Sequence, residues 1–101
     1  FVYAADAALA LIELAERAPH KTICNIGVPE EVTIHEVAER ICVVLDKAPQ
    51  FEQDYGQPRG YHRRVPDLGV AESLGLTCTK NWVRLEDGIA TTVAWWKAQG
   101  A

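Results

Sequence analysis

The sequence predicts a small α/β domain that is rich in helices and has a few short strands. Apolar residues recur at helical spacing in several segments, and short apolar runs bounded by glycine or proline separate these segments. The composition is that of a globular protein, with 49% hydrophobic and 24% charged residues. Because 101 residues suffice for one modest core, we expect a single domain over residues 1–101.

The first predicted helix covers residues 7–17. Its polar residues Glu13, Glu16 and Arg17 share one narrow stripe, and every other residue is Ala, Leu or Ile. So narrow a stripe predicts that most of the helix circumference is buried. Asp6 is expected to cap this helix by accepting hydrogen bonds from amides of the first turn. Because the chain is small, a second packing partner of this helix is expected outside it.

The second predicted helix begins with a capping box. The hydroxyl of Thr33 can accept a hydrogen bond from the amide of Glu36, and the Glu36 carboxylate can reach back to the amide of Thr33. The following residues place an apolar stripe on one face of the helix: Ile34, Val37, Ala38, Ile41, Cys42 and Leu45.

Two further helices are predicted in the C-terminal third. Asp67 is expected to cap a short helix that runs through Leu74, with Gly75 as its stop. The last helix covers residues 85–97. Gly88 lies on its apolar face and is expected to let another element approach closely.

Three short segments are predicted as strands. Residues 1–3 look like part of a strand, residues 22–26 form a short apolar run, and residues 50–54 are predicted mainly from Phe51. Residues 55–66 contain several glycines and prolines and are expected to form a loop. The predicted order is therefore strand, helix, strand, helix, strand, loop, helix, helix.

Charge and hydropathy argue against several classes of function. A general nucleic-acid binder needs a basic face, whereas this chain has a net charge of −4. No apolar run is long enough to predict a membrane-spanning helix, and residues 1–10 lack the features of a signal peptide. We therefore expect a cytoplasmic protein that binds neither nucleic acid nor membranes.

The cysteines and histidines predict no metal site. Cys24, Cys42 and Cys78 are widely spaced, which supports neither a zinc cluster nor a disulfide framework and indicates a reducing compartment. Cys24 and Cys42 are expected to fill the core. Cys78 lies on a predicted loop and is a candidate for an exposed, reactive thiol, although only Lys80 nearby would lower the pKa of this thiol. The three histidines lack partners at metal-ligand spacing and are expected on the surface.

The strongest local feature is a basic loop at residues 57–64. It carries Arg59, Arg63 and Arg64, whose guanidinium groups suit phosphate oxygens, and Tyr61, whose ring can stack on a base or a sugar. In an acidic chain this cluster is a candidate anion site. The residues alone favour the other interpretation, a solvated loop whose arginines pair with nearby acids: Glu52, Asp54 or Asp67.

Several short motifs follow one another along the chain. They read F-V-Y-A-A-D-A at 1–7, C-N-I-G at 24–27, T-I-H-E-V-A at 33–38, R-R-V-P-D at 63–67 and L-E-D-G-I at 85–89. In this order they resemble the NAD-dependent nucleotide-sugar epimerase and dehydratase family, the extended short-chain dehydrogenases. The resemblance covers nearly the whole chain.

The resemblance implies that the chain is the C-terminal, substrate-binding part of such an enzyme. A Rossmann half of the same protein would bind NAD or NADP, so we expect no cofactor and no turnover for this chain alone. This part would hold the diphosphate of a nucleotide-sugar substrate and thereby orient the sugar. A UDP-glucose 4-epimerase-like isomerase is among the implied activities, and a homodimer is among the implied assemblies.

The resemblance also implies a set of substrate-binding residues: Arg64, Arg59, Arg63, Gln57 and Tyr61. Counted back from Asp67, the family's R-P-G-D stretch falls on residues 57–60, so Gln57 replaces the arginine that often meets the diphosphate. Arg59 can take over this contact, and Arg64 matches the arginine of an R-x-P-D form. Neither a catalytic residue nor a metal ligand is predicted.

A second hypothesis belongs to a different class of function. The chain would be a free-standing protein-interaction module derived from the same family, with the apolar first helix as its contact surface. Both hypotheses predict an exposed apolar patch on the isolated chain.

Overall fold

The computed structural model describes residues 1–100, in which helices alternate with irregular segments. Its elements are α1 (Ala4–Arg17), α2 (Ile34–Val44), α3 (Gly69–Ser73), a 3-10 turn (Thr77–Thr79) and α4 (Leu85–Ala98). The prediction of a helix-rich chain is confirmed. Each predicted helix is present, with ends that differ by a few residues from the predicted ones.

The predicted strands are absent from the described residues 1–100. Residues 1–3, 22–26 and 50–54 have no regular secondary structure. A strand requires a ladder of backbone hydrogen bonds to a neighbouring strand, and within residues 1–100 none of these segments forms one. The three apolar runs therefore do not form strands. The α/β prediction is wrong in its strands for residues 1–100.

The chain divides into two compact units. The first contains residues 1–30 and 65–88, and the second contains residues 31–64 and the chain from Ile89 onward. The first four residues of α4 thus belong to the first unit. The expectation of a single domain over residues 1–101 stays a prediction.

The first unit contains a small hydrophobic core. Its buried members are Ala10, Leu68, Ala71, Leu76 and Cys78, and its partly buried members are Leu14, Cys24, Ile26 and Leu74. α1, α3 and the 3-10 turn each contribute to this cluster. α1 is distant in the sequence from the other two segments, and burial of apolar surface contributes to bringing it to them.

Most of α1 is exposed, contrary to the prediction. Its only buried residues are Ala10 and Glu13, whereas Leu11 and Ile12 keep 61% and 58% of their surface exposed. An apolar helix surface is buried only where other elements pack against it. In the first unit they cover one side of α1, the side of Ala10 and Glu13. The chain therefore presents an exposed apolar face on α1, as both functional hypotheses predict.

Glu13 is buried although it belongs to the stripe predicted to face solvent. Its carboxylate accepts hydrogen bonds from the backbone amide of Thr77, at 2.9 Å, and from the Thr77 hydroxyl. Arg17 lies one turn further along α1, with its Nη2 3.5 Å from the same carboxylate. The Thr77 hydroxyl and amide hold the pKa of Glu13 below its ordinary value of 4.5, against the opposing effect of burial.

Asp6 does not cap α1 as predicted. The helix begins at Ala4, and its N-cap residue Tyr3 makes no side-chain capping bond. Asp6 lies in the first turn, where its carboxylate accepts a hydrogen bond from the amide of Val83 at 2.7 Å. Because alanine favours helix strongly, Ala4 and Ala5 extend α1 toward the N-terminus past the predicted cap.

The end of α3 confirms the predicted role of Gly75. Its backbone φ is +67°, a left-handed conformation that costs other residues free energy. The amide of Gly75 donates to the carbonyl of Glu72, and the amide of Leu76 donates to the carbonyl of Ala71. This double closure is a Schellman motif, and it places Leu76 in the core at 0% exposure. Asp67 is not the N-cap residue that was predicted, since Leu68 occupies that position, but its carboxylate accepts a 2.9 Å bond from the amide of Gly69, the first residue of α3.

Gly88 makes the predicted close approach. It is buried in the first turn of α4, and a Cβ built on it would lie 3.3 Å from Cδ2 of the Tyr3 ring. The absence of a side chain at Gly88 therefore allows the N-terminal residues to pack against α4.

The second unit contains no buried residue in its described part. α2 has the predicted capping box, since the Thr33 hydroxyl accepts from the Glu36 amide and the Glu36 carboxylate accepts from the Thr33 amide. The predicted apolar face is only partly covered, and Ile34 is 74% exposed. After α2, the ring of Phe51 packs against the ring of His35, with centroids 4.2 Å apart.

We predict that Gly75→Ala lowers the free energy of unfolding by about 1–2 kcal/mol, because a Cβ is strained at this positive φ. Urea denaturation measures the loss. Gly60→Ala is the control, because a Cβ is equally free of contacts with non-neighbouring residues there and φ lies outside the left-handed region. Equal stability of the two variants would contradict the left-handed assignment at Gly75.

We predict that acid destabilises the chain partly through Glu13. Because folding lowers the pKa of this carboxyl, its contribution is complete above pH 4.5 and is lost as the pH falls through the lowered folded value. Glu13→Gln should therefore flatten the dependence of unfolding free energy on pH below 4.5. Glu16→Gln, on an exposed side of α1, is the control. If Glu13→Gln leaves the pH dependence of the unfolding free energy unchanged in acid, the lowered pKa of Glu13 does not contribute to stability.

Candidate functional site

The basic loop lies wholly in the second unit and is open to solvent. Residues 57–64 are exposed without exception and have no helix or strand. A turn at Tyr55 and Gly56 precedes the loop, and the Asp54 carboxylate closes it by accepting a 2.8 Å bond from the Gly56 amide. Tyr55 and Tyr61 are 72% and 82% exposed, so both rings are available to a ligand.

Two arginines of the loop lie over tyrosine rings. The Cζ of Arg64 is 5.3 Å from the centroid of the Tyr61 ring, and the Cζ of Arg59 is 6.0 Å from the centroid of the Tyr55 ring. Attraction between a cation and an aromatic ring favours these two positions. A ring offers no carboxylate or carbonyl oxygen, so these contacts leave the guanidinium N–H donors for phosphate oxygens.

The third arginine forms an ion pair. The Nε of Arg63 donates to Oε1 of Glu31 at 2.9 Å, and both side chains are more than half exposed. This acid was not among the predicted partners. Of those, Asp54 and Asp67 accept from the backbone amides of Gly56 and Gly69. The alternative prediction, in which the loop arginines pair with nearby acids, therefore holds within residues 1–100 for Arg63 alone among the three, and its partner is Glu31.

The structure divides the predicted site residues into separate small groups. Arg64 and Tyr61 form one pair, Arg59 joins Tyr55, and Arg63 joins Glu31. Gln57 is exposed at the turn that precedes Arg59. These local contacts leave the binding assignment of the five residues a prediction.

Two residues at the site were missed from the sequence. Tyr55 lies four positions before Arg59, and this spacing next to a second Tyr–Arg pair could have indicated its role. Glu31 lies 32 positions before Arg63, and no local signal connects the two.

Cys78 is buried in the core, contrary to the predicted exposed position. It keeps 2% of its surface exposed, and burial raises the pKa of its thiol, with the nearby charge of Glu13 adding to the effect. Cys24 packs at the edge of the same core. Cys42, expected in the core, is half-buried in the second unit. A thiol that is both inaccessible and protonated is a poor nucleophile.

The described residues show neither a metal-binding cluster nor a membrane-spanning helix. Residues 1–100 contain no group of three or more His, Cys, Asp or Glu side chains arranged to hold a metal ion. None of the described helices has the length and apolar character needed to cross a membrane.

Comparison with known proteins identifies similar sequences. The chain is 36% identical over 92 residues to a protein of Oryza sativa subsp. japonica that carries the name Putative GDP-L-fucose synthase 2, and the match covers 88% of this chain and 25% of that protein. It is 33% identical over 96 residues to GDP-L-fucose synthase 1 of Arabidopsis thaliana, covering 95% of this chain and 29% of that protein.

The similarity is weak and covers a small part of each relative. The chain spans between 25% and 29% of the length of these curated relatives. No family model and no solved structure matches it. The resemblance to nucleotide-sugar enzymes is thus supported by homology to GDP-L-fucose synthases, without a decision between epimerase, dehydratase and other branches.

We predict that Cys78 is the slowest of the three cysteines to react with iodoacetamide in the folded chain, because it is buried and its thiol pKa is raised. Mass spectrometry of tryptic peptides after timed alkylation measures each rate. In urea the three rates should converge. Modification of Cys78 at the rate of Cys42 before unfolding contradicts the buried position.

Proposed function

We propose that this chain is the substrate-binding segment of an NAD(P)-dependent nucleotide-sugar epimerase or reductase. Its task is to hold the diphosphate of the substrate while another part of the same protein carries out hydride transfer. The observation that carries the proposal is the similarity to two GDP-L-fucose synthases over 88% and 95% of this chain. The names of these relatives favour a GDP-sugar substrate over the UDP-glucose that the family resemblance implies.

The chemistry of the basic loop supports this role. A diphosphate presents several anionic oxygens, and guanidinium groups bind them with directed, charge-assisted hydrogen bonds. Arg64 and Arg59 already lie over aromatic rings, so less conformational freedom is lost when they bind. Gln57 adds neutral hydrogen-bond donors, and the exposed ring of Tyr61 adds a stacking surface for a base or sugar.

The remaining chemistry belongs to the rest of the proposed protein. NAD or NADP would bind to a Rossmann half and accept or supply the hydride, and this chain alone would bind no cofactor. The residues of this chain act by orienting the sugar, since fixing the diphosphate limits the positions of the reacting carbon. The proposed compartment is the cytoplasm, and a homodimer is the proposed assembly.

A second candidate function follows from the exposed face of α1. Leu9, Leu11 and Ile12 are 43%, 61% and 58% exposed, and large apolar residues of one helix at this exposure favour a protein contact. In this alternative the chain is an interaction module that no longer serves an enzyme. It predicts that the complete protein binds a protein through α1 and binds no nucleotide-sugar.

We predict that Arg64→Ala raises the Kd for GDP about tenfold in the complete protein that carries this chain. Removal of one charge-assisted contact to a phosphate has about this effect. Isothermal titration with GDP, and with UDP for comparison, measures the change. Arg84→Ala, which removes an exposed arginine outside the loop, is the control.

The result separates the two candidate functions. A Kd that rises in Arg64→Ala and not in Arg84→Ala supports the diphosphate site. Equal Kd values in the wild type and Arg64→Ala remove Arg64 from the site. Absence of GDP and UDP binding, together with an association that Ile12→Glu abolishes, favours the interaction module.

A further inference from the structure

Arg63 differs from the other loop arginines in carrying an acidic partner. Arg59 and Arg64 lie over aromatic rings, which leave positive charge for a ligand. Arg63 instead donates to the Glu31 carboxylate at 2.9 Å. While Glu31 accepts from the Nε–H of Arg63, that donor is not available to a phosphate oxygen, and the carboxylate offsets the positive charge of the guanidinium.

We propose that Glu31 is an internal competitor that occupies Arg63 until a diphosphate displaces it. This inference rests on the proposed function, because it concerns the same loop and the same class of ligand. Glu31 thereby sets the affinity of the site without contacting the ligand, and release of Arg63 accompanies binding.

The position of Glu31 suits this role. It precedes Thr33, the N-cap residue of α2, by two positions, and the capping box fixes the backbone there through the 2.6 Å bond from the Thr33 amide to the Glu36 carboxylate. Arg63 lies on the exposed loop. The acid is therefore close to the anchored end of a helix, whereas the arginine is on the segment that approaches the ligand.

The exposure of the pair makes the exchange feasible. The Arg63 and Glu31 side chains are 70% and 54% exposed, and such a pair changes an equilibrium constant by no more than about fivefold. The single carboxylate offers one negative charge, whereas a diphosphate offers more than one and can bridge several arginines. Breaking the pair costs the same free energy for either kind of anion, and a diphosphate makes more contacts that offset this cost.

The test measures GDP binding to the complete protein by isothermal titration at low salt. Glu31→Gln keeps the shape of the side chain and removes its charge, so we expect the Kd for GDP to fall about two- to fivefold. Glu52→Gln makes the same change of charge at another exposed acid of the second unit and should have a smaller effect. In an Arg63→Ala background the gain from Glu31→Gln should disappear.

Three results would overturn the inference: an unchanged Kd in Glu31→Gln, an equal gain in Glu52→Gln, or a gain that persists in the Arg63→Ala background. The proposed function is judged separately by Arg64→Ala. If Arg64→Ala weakens GDP binding and Glu31→Gln has no effect, only the role of Glu31 is wrong. If the wild type binds neither GDP nor UDP, both proposals are wrong.

Discussion

The first unit depends on acceptors that α1 supplies to the irregular chain around the 3-10 turn. Glu13 accepts from the amide and hydroxyl of Thr77, and Asp6 accepts from the amide of Val83. Polar groups removed from water must find partners inside the protein, or the desolvation cost remains. These carboxylates therefore allow the chain around Leu76 and Cys78 to enter the core, although it belongs to no long helix or strand.

The two units are stabilised in different ways. The first has a buried cluster, and its Schellman motif at Gly75 directs Leu76 into that cluster. The second has no buried residue in its described part, so a capping box, a His35–Phe51 ring contact and exposed ion pairs determine its local geometry. The basic loop belongs to the second unit, and its arginines are positioned by individual partners rather than by a packed core.

The proposed diphosphate role depends on the partner of each loop arginine. Arg59 and Arg64 lie over tyrosine rings, which accept none of the hydrogen bonds that a phosphate would accept. Arg63 instead donates its Nε–H to the Glu31 carboxylate. These partners lie outside the short motifs that resemble those of nucleotide-sugar enzymes.

Features within a few residues of one another could be predicted from the sequence. The capping box of Thr33 and Glu36 and the stop at Gly75 follow from local geometry, and the structure contains both. The sequence also places Gly88 on the apolar face of α4, but not its partner Tyr3, which lies at the other end of the chain. Pairings across the chain could not be predicted, because Glu13 lies 64 positions from Thr77 and Glu31 lies 32 positions from Arg63. The burial of Cys78 and the absence of strands within residues 1–100 also depend on contacts between segments of the chain, which the sequence pattern does not specify. Periodicity shows which side of a segment is apolar, whereas only tertiary packing decides what covers it and whether a strand finds a partner.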